Sequence, residues 1–449
     1  MIKRTLAVAL ASATAVTLAG CGGGSSTNGS SGKSSAAGAG ASSSAAAKSG
    51  KSSAAAAPAA VSTKNPSRDK TADLVIWADA TSAPYVTKLA GQFGKANGVK
   101  VAVQIATNVR DQYETAFKAG QAPDIIVGAN DWTGELVANG AIAPVHLSAS
   151  AVAGFNKQAI AATKYNNQSY AVPYGVENLA LVRNTALAPT APKTMDELIA
   201  TSKKLKSQGK VTNLLADAVG KQGDAYNANP YLTACAGGIF GTKANGDYDP
   251  NKLLVSSPGS IKGATEMAKL GKLGALTTNI DGTNIDSIFT TKKTAFEITG
   301  PWSIPAIKKA GIKYDISPLP SISGCGPMKP FLGVQMFFVS SKAKNATVAQ
   351  TFVTSFLTSK SAQETLFHVG QRPPALTTAY NAVAATDPDV KKWAAAGEGG
   401  KLMPNIPAMN AVWKPLGQAL ANVVSGKSQP RPALVSAQGA IATAIKKSN

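Results

Sequence analysis

Apolar runs and amphipathic stretches alternate along the chain after about residue 70, and this pattern predicts an α/β fold. Residues 74–78 form a continuous apolar run of the kind found in parallel strands buried on both faces. A helix is predicted from about Pro84 to Asn97-Gly98, because its apolar positions share one face. The same alternation continues with a strand at 99–105, a helix at 110–118, a strand at 123–127 and a helix at 135–138. This spacing favours an open sheet with right-handed crossovers.

Later segments continue the pattern, and one of them carries a capping signal. Thr194 precedes a predicted helix with Glu197 three residues on, the spacing of a capping box. Asn245-Gly246 is typical of a hairpin turn. Further helices are predicted at 195–207, 261–273, 347–357 and 437–447, and a strand at 294–298.

The first 21 residues have the features of an export signal. Lys3 and Arg4 precede a mostly small and apolar run, residues 5–20, which is too short for a comfortable membrane span. The run ends in Leu18-Ala19-Gly20-Cys21, which resembles a bacterial lipobox. The resemblance implies cleavage before Cys21, leaving residues 1–20 as signal peptide, and a diacylglycerol group on the sulfur. Two acyl chains anchor a protein stably. An ordinary signal peptide that happens to end near a cysteine is the alternative.

Residues 21–70 are predicted to be a lipidated cysteine followed by a disordered linker. Of the 49 positions in 22–70, 35 are Ser, Ala or Gly, without apolar periodicity. Such a chain has a root-mean-square reach of roughly 40 Å. It would hold a folded body away from a membrane surface.

Composition and charge weigh against metal-dependent enzymes and nucleic-acid-binding proteins. Two histidines and three cysteines weigh against a zinc or iron–sulfur enzyme, so we expect no metal and no cofactor. The chain has a formal net charge of +21. Its lysines are scattered and no nucleic-acid motif accompanies them, so a solvated surface beside an anionic cell envelope is favoured over nucleic-acid binding. No stretch after the first 21 residues has 18 consecutive apolar residues, which predicts a soluble body.

With Cys21 lipidated, Cys235 and Cys325 remain in an exported chain. An oxidising compartment favours a disulfide between them. It would close a loop of about 90 residues and contribute on the order of 4 kcal/mol in the chain-entropy model. Two buried free thiols are the alternative, and a catalytic cysteine is less favoured because no histidine lies near either in sequence.

Polar and aromatic residues follow several predicted strands at their carboxyl ends, where ligands bind in open α/β sheets. Asp79 follows the first strand, and Asp131 with Trp132 follows the third. Glu177 and Trp302 each follow a later apolar segment. The pattern predicts that these residues lie near one another.

Several motifs resemble those of the extracellular solute-binding proteins of ABC importers, specifically the maltose/maltodextrin-binding group. The best single motif is Met403-Pro404-Asn405-Ile406-Pro407-Ala408-Met409, with Trp413 four residues on. Other matches lie at 74–77, 123–126, 177–179, 300–302 and 329–334. The order and spacing of all these motifs match the family over essentially all of residues 71–449.

The resemblance implies two α/β lobes of the type II periplasmic-binding-protein fold, joined by three hinge crossings. Motif positions place the crossings near Glu177, near residues 331–335 and near residues 380–386. The lobes would be 71–177 plus 335–382, and 178–330 plus 383–449. Ligand would lie in the cleft between them, and closure would present a surface to a permease. We expect a monomer, held at the membrane by its lipid.

Carbohydrate chemistry supports such a site independently. Aromatic rings stack on the C–H faces of sugars, and carboxylates bind their hydroxyl edges. The candidate rings are Trp132, Trp302 and Trp413, and the candidate acceptors are Asp79, Asp131 and Glu177. The resemblance also implies a stacking tyrosine at Tyr226 or Tyr231, with Tyr231 preferred. Trp132 as a surface aromatic and Asp131 as a helix cap stay open.

The chain also departs from the family. Gly128 replaces a typical aromatic, Trp132 replaces the usual arginine, and Asp79 lies where a lysine is frequent. Maltose, a longer oligosaccharide and a different carbohydrate are therefore all open. Competing functions are an exported glycoside hydrolase that uses Asp131 and Glu177, and an adhesin for anionic wall polymer.

Overall fold

The computed structural model describes residues 66–448, which form a mixed α/β structure with helices flanking the sheets. This agrees with the two-lobed fold expected from the resemblance. The predicted signal peptide, Cys21 and the linker as far as residue 65 lie outside the described residues.

Sixteen strands and sixteen helices occur in the described residues. The strands are β1 Leu74–Ala78, β2 Val101–Ile105, β3 Ile125–Ala129, β4 Lys164–Tyr165, β5 Gln168–Ser169, β6 Ala171–Glu177, β7 Ala180–Asn184, β8 Ala216–Asp217, β9 Phe240–Thr242, β10 Tyr248–Leu253, β11 Phe296–Thr299, β12 Tyr314–Ser317, β13 Ser321–Ile322, β14 Gly326–Pro327, β15 Phe331–Val339 and β16 Lys401–Leu402. The helices are α1 Ala83–Asn97, α2 Val109–Lys118, α3 Thr133–Ala138, α4 Ala149–Ala153, α5 Lys157–Ala162, α6 Met195–Ser207, α7 Ala225–Ala234, α8 Pro258–Lys272, α9 Ile285–Thr290, α10 Ile304–Lys309, α11 Ala346–Thr351, α12 Lys360–Gly370, α13 Thr377–Thr386, α14 Pro388–Ala396, α15 Asn410–Val424 and α16 Pro430–Ser448.

A six-stranded sheet contains the first predicted strands. Its order is β16-β15-β3-β1-β2, with β6 paired to β15. Strand β1 is parallel to both β2 and β3, whereas β15 is antiparallel to β3 and β6. All five residues of β1 are buried, as its unbroken apolar sequence predicts. The carboxyl ends of β1 and β3 therefore share one edge of this sheet.

A second sheet of four strands has the order β12-β7-β11-β8. Strand β7 is antiparallel to both β11 and β12, and β8 is parallel to β11. The amino ends of β8, β11 and β12 therefore lie at one edge, together with the carboxyl end of β7. Residues after β11 begin at the opposite edge, where Trp302 is found.

Each sheet has its own large apolar core. The core around the six-stranded sheet draws its buried residues from 74–174 and 334–379. The core around the four-stranded sheet draws its buried residues from 179–331 and 403–445. Strand β16 nonetheless pairs with the start of β15 in the six-stranded sheet, although the predicted boundary assigns it to the second lobe. The lobe boundaries given above stay a prediction.

The structure confirms the predicted capping signal, but two predicted helices differ from those observed. The Thr194 hydroxyl accepts a 3.1 Å hydrogen bond from the Glu197 amide, as the capping signal predicts. Helix α16 begins seven residues before the predicted start, because Pro430 suits a first helical turn and Leu434 extends the buried face. The predicted helix 347–357 is α11 followed by a π-helical segment, Phe352–Phe356.

A disulfide joins Cys235, just after α7, to Cys325, between β13 and β14. It links chain segments 90 residues apart around the second core. Within residues 66–448, no helix combines the length and apolar character needed to span a bilayer.

Candidate ligand-binding site

The carboxylate of Glu177 at the end of β6 is buried and doubly bound. Its Oε2 accepts a 2.5 Å bond from Nε of Arg372, and its Oε1 accepts a 2.8 Å bond from Nε2 of Gln335 on β15. Both members of the ion pair are more than nine-tenths buried. Burial lowers the pKa of Arg372, but Glu177 and its other neighbours raise it well above the ordinary value. Arg372 therefore stays charged and holds Glu177 in one orientation.

The Arg372 guanidinium lies near two aromatic rings. Its Cζ is 5.9 Å from the ring centroid of Tyr85 and 5.9 Å from that of Trp302. Its Nη1 also donates a 2.9 Å bond to the Tyr85 hydroxyl. Trp302 belongs to the segment after β11, so Arg372 connects residues associated with the two different sheets. A cation near a ring face favours this arrangement.

Asp79 connects to this group through a hydrogen-bonded chain. The Tyr85 hydroxyl donates to Ser82 Oγ at 2.7 Å, and Ser82 Oγ donates to Asp79 Oδ2 at 3.0 Å. The other Asp79 oxygen accepts from the backbone amides of Thr81 and Ser82 at the start of α1. Asp79 thus orients Tyr85 through Ser82, and its direct contact with ligand stays a prediction.

Trp302 owes its position to a glycine. A Cβ atom on Gly300 would lie only 2.1 Å from Cζ3 of the Trp302 ring, so the ring can lie flat there only because residue 300 has no side chain. The ring centroid of Tyr226 is 6.3 Å away. Trp302 remains partly exposed.

Tyr226, rather than Tyr231, lies beside Trp302. The Tyr231 ring is only 1 % exposed within the second core, and its hydroxyl donates to Asp217 Oδ2 at 2.6 Å. The structure therefore favours Tyr226 as the tyrosine beside Trp302, although the sequence analysis preferred Tyr231. The two tyrosines are five residues apart on α7, which directs them about 140° apart around the helix. Only one of them can face the site.

The Tyr226 hydroxyl is buried and finds no hydrogen-bond partner among residues 66–448. Burial, together with the charges of Glu177 and Asp224, raises the pKa of Tyr226 well above its usual value. Asp131 acts in the same direction, and Arg372 opposes it. The hydroxyl is therefore a neutral donor within electrostatic reach of both predicted acceptors, Glu177 and Asp131.

Asp131 and Trp413 form a second bonded pair. Asp131 lies in the 3₁₀ turn Asn130–Trp132 after β3, and its Oδ2 accepts a 3.0 Å bond from Nε1 of Trp413 on α15. Arg110 Nη1 is 3.6 Å from the same oxygen. Burial raises the pKa of Asp131, while Arg110 and Trp413 lower it. No side-chain cap bond is found at the start of α3, so the partners of Asp131 are Trp413 and Arg110 and not the helix considered above.

Trp132 folds back over Gly128 at the end of β3. A Cβ atom on Gly128 would lie 1.9 Å from the Trp132 ring. The ring stacks against Phe338 with centroids 6.4 Å apart and stays partly exposed. Trp132 thus covers the space beside Gly128, the position where the sequence departs from an aromatic typical of the family.

Comparison with known proteins now decides the family. The model of a family described as bacterial extracellular solute-binding protein matches residues 88–398, well over half of the chain. The chain belongs to this family. Its members are binding proteins, in agreement with a site built of rings and oriented carboxylates.

The relatives of this solute-binding protein include several oligosaccharide binders. A galactooligosaccharide-binding protein of Bacillus subtilis is 30% identical over 389 residues, 83% of this chain and 89% of the relative. A maltooligosaccharide ABC transporter solute-binding lipoprotein of Streptococcus pneumoniae R6 is 27% identical, over 86% of this chain and 94% of its own. A maltotriose-binding protein of Pyrococcus abyssi is 26% identical, over 70% of this chain and 68% of its own. These relatives are named for the oligosaccharides that they bind, and this chain is similar to them over 70–86% of its length.

Sequence reasoning missed the residues that orient the acceptors of this solute-binding protein: Tyr85, Arg110, Gln335 and Arg372. One available signal was the scarcity of arginine, since only six of the 45 basic residues are arginines. Within residues 66–448, four arginines pair with a carboxylate: Arg68 with Asp124, Arg110 with Asp131, Arg183 with Asp315 and Arg372 with Glu177.

Proposed function

We propose that this protein captures a neutral oligosaccharide of the maltose/maltodextrin type and binds it without altering it. The observation that carries the proposal is the grouping of Tyr226, Trp302 and Arg372 around the Glu177 carboxylate. Asp131 and Trp413 provide the second acceptor and a further ring. Carbohydrate recognition needs this combination of ring faces and charged hydrogen-bonding groups.

The unpaired Tyr226 hydroxyl supports a polar ligand. A buried hydroxyl without a partner loses about 1–3 kcal/mol relative to a bonded one. A sugar hydroxyl placed between Tyr226 and Glu177 would provide that partner. The two carboxylates are balanced by Arg110 and Arg372, which favours a neutral sugar over an anionic or a cationic one.

Delivery to an ABC permease is part of the proposal. The candidate residues come from both sheets, with Asp131 and Glu177 on the first and Trp302 on the second. Ligand that contacts both sides would favour a closed form by its differential affinity for that form. The permease would then recognise the closed lobes, divided at the boundaries given above. A monomer suffices, because one chain provides both sides.

The location follows from the N-terminal sequence. We propose export by the signal peptide 1–20, cleavage at the lipobox and lipid anchoring at Cys21 in the cell membrane. The Streptococcus pneumoniae relative carries the word lipoprotein in its name, which supports this reading. Mass spectrometry of the mature protein tests it: a diacylglyceryl Cys21 is expected, and a free N-terminus elsewhere would contradict it.

A galacto-oligosaccharide is the second candidate ligand, favoured by the name of the 30% identical Bacillus subtilis relative. Stacking rings accept either sugar face, whereas the order of acceptors around them selects the linkage. Calorimetric titration with matched malto- and galacto-oligosaccharides separates the two. Tighter binding of the malto series is expected.

Hydrolysis by Asp131 and Glu177 is the competing function. A general acid must offer a proton to the leaving oxygen. Glu177 instead accepts bonds from Gln335 and Arg372, and Asp131 accepts one from Trp413. Incubation with the bound oligosaccharide should therefore leave its length unchanged. Steady release of shorter products would overturn the binding-only proposal.

A further inference from the structure

One edge of the four-stranded sheet carries an unbalanced group of lysines. This edge holds the amino ends of β8, β11 and β12, and lies opposite the end of β11 that leads to Trp302. We define the lysine edge as six solvent-exposed residues: Lys206, Lys210, Lys292, Lys293, Lys309 and Lys313.

Backbone hydrogen bonds bring the lysine-bearing loops together. The amides of Thr212 and Asn213 donate to the Lys293 carbonyl at 2.9 and 2.8 Å. The Thr185 amide donates to the Lys313 carbonyl at 2.9 Å. Since Asn184 in turn donates to Ala295, the loops before β8, β11 and β12 are neighbours at one edge.

No carboxylate interrupts these segments. The sequence has no Asp or Glu between Glu197 and Asp217, between Asp286 and Glu297, or between Glu297 and Asp315. Within residues 66–448, none of the six lysines takes part in a salt bridge. The edge therefore presents six positive charges that repel one another.

Helix dipoles account for only part of the group. Lys206 and Lys309 lie in the last turns of α6 and α10, where a cation is favoured. Lys210, Lys292, Lys293 and Lys313 lie outside helices, and Lys292 has a positive φ of 62°. Lys210 follows α6, and Lys292 and Lys293 follow α9, where their backbone amides donate to carbonyls of the last helical turns. The side chains of all four nonetheless stay exposed.

The corresponding edge of the six-stranded sheet differs. Lys100 donates to Thr71, and Lys342 donates to the Phe117 carbonyl and covers its ring. Asp69 and Asp73 lie among these lysines. That edge is therefore partly neutralised. Asp315 on β12 and Asp389 lie near the lysine edge, but they pair with Arg183 and Lys392 and not with any of the six lysines.

We propose that the lysine edge binds the anionic phospholipid surface of the membrane. The lipid anchor proposed above selects the membrane as the polyanion within reach, and the proposal rests on that location. Contact through this edge, at the far end of the sheet from Trp302, leaves the ligand site uncovered. Each basic residue near an anionic surface adds to the attraction. At physiological salt the attraction is largely screened beyond about 8 Å.

Vesicle co-sedimentation tests the proposal with the full chain carrying Cys21→Ser, which removes the acyl anchor. The vesicles are pure phosphatidylglycerol or pure phosphatidylcholine. The first variant replaces Lys210, Lys292, Lys293 and Lys313 with Gln. The matched control replaces four other exposed lysines with Gln and so removes the same charge: Lys88, Lys157, Lys243 and Lys427.

We expect salt-sensitive binding to phosphatidylglycerol, reduced by about tenfold or more in the first variant and much less in the control. Equal loss in both variants would overturn the proposal in favour of net charge alone. Binding to soluble polyphosphate without binding to phosphatidylglycerol would also overturn it. Sugar affinity, measured on the same samples, should be unchanged; its absence in every sample would instead contradict the proposed function.

Discussion

The indole nitrogen of Trp413 donates a 3.0 Å hydrogen bond to Asp131 Oδ2, across 282 residues of sequence. Trp413 packs against the core of the four-stranded sheet, and Asp131 follows a strand of the six-stranded sheet. The bond therefore fixes a candidate stacking ring relative to a candidate acceptor before ligand arrives. Preorganisation of this kind lowers the cost of ordering side chains on binding.

Replacement of that bond gives the first prediction. Trp413→Phe keeps a ring but removes the donor, so we expect a stability loss of about 1.5–3 kcal/mol, the range for bonds to charged groups. Trp413→Ala should in addition weaken oligosaccharide binding by roughly 1–3 kcal/mol through lost stacking and apolar area. Urea denaturation and calorimetry measure the two effects. If the alanine variant binds sugar with unchanged affinity, Trp413 lies outside the site.

The glycine beneath Trp302 gives the second prediction. Gly300→Ala places a Cβ where the ring lies, so the ring must move even though it is retained. We expect a loss of affinity approaching that of Trp302→Ala, roughly 1–3 kcal/mol, and a changed tryptophan emission spectrum. Gly282→Ala is the matched control, because a Cβ at Gly282 meets nothing within 4 Å. Equal behaviour of the two glycine variants would contradict the assigned role of Trp302.

The Glu177–Arg372 pair gives the third prediction. Removal of one partner leaves a buried charge uncompensated, which costs about 3–5 kcal/mol. Arg372→Met alone should therefore destabilise the protein strongly in urea. The double variant Arg372→Met with Glu177→Gln should recover much of this stability but not the sugar affinity. Additive losses in the double variant would show that the pair is not coupled.

Some features of the fold and of the candidate site could be predicted from the sequence, and others could not. The apolar run of β1 and the Thr194 cap could be predicted, because each depends only on residues that are neighbours in the sequence. Glu177 could be placed by its position after an apolar strand. Arg372 could not, because its partners Tyr85, Glu177 and Trp302 are brought together only by tertiary packing.

The sequence could not separate Tyr226 from Tyr231 for a different reason. Helix α7 is apolar or small on most sides and has neighbours all around it, so periodicity does not identify one buried face. Both tyrosines fit the helix equally well from sequence. The feature that separates them is Asp217, whose carboxylate accepts a hydrogen bond from the Tyr231 hydroxyl. Asp217 lies on another element, and no sequence pattern predicts that the two residues meet.

Asp217 gives the fourth prediction, a dependence of stability on pH. Burial is the main cause that raises the pKa of Asp217 from 3.8 to about 7. The folded state therefore binds the proton more tightly than the unfolded state, and its contribution is full below about pH 4 and lost as the pH rises through 7. The change is on the order of 4 kcal/mol. Urea denaturation from pH 4 to 8 should show this decline, which Asp217→Asn should flatten; an identical slope in the variant would contradict the assignment.

The disulfide gives the fifth prediction. Cys235 and Cys325 close a long loop, so their joint replacement by Ser should cost on the order of 4 kcal/mol in the chain-entropy model. Neither cysteine is among the candidate ligand-binding residues, so sugar affinity at low temperature should be retained. Thermal denaturation with and without reductant checks the cost. A wild-type melting temperature that reductant leaves unchanged would show that the bond does not stabilise the fold.

The most direct test of the central claim is isothermal titration calorimetry of the purified protein with maltose, maltotriose, longer malto-oligosaccharides and matched galacto-oligosaccharides. The account predicts saturable binding of one neutral oligosaccharide per chain, with tryptophan emission changing in parallel and no change in the length of the sugar. Absence of heat and of emission change across the whole panel, in a protein whose unfolding is cooperative, would contradict it.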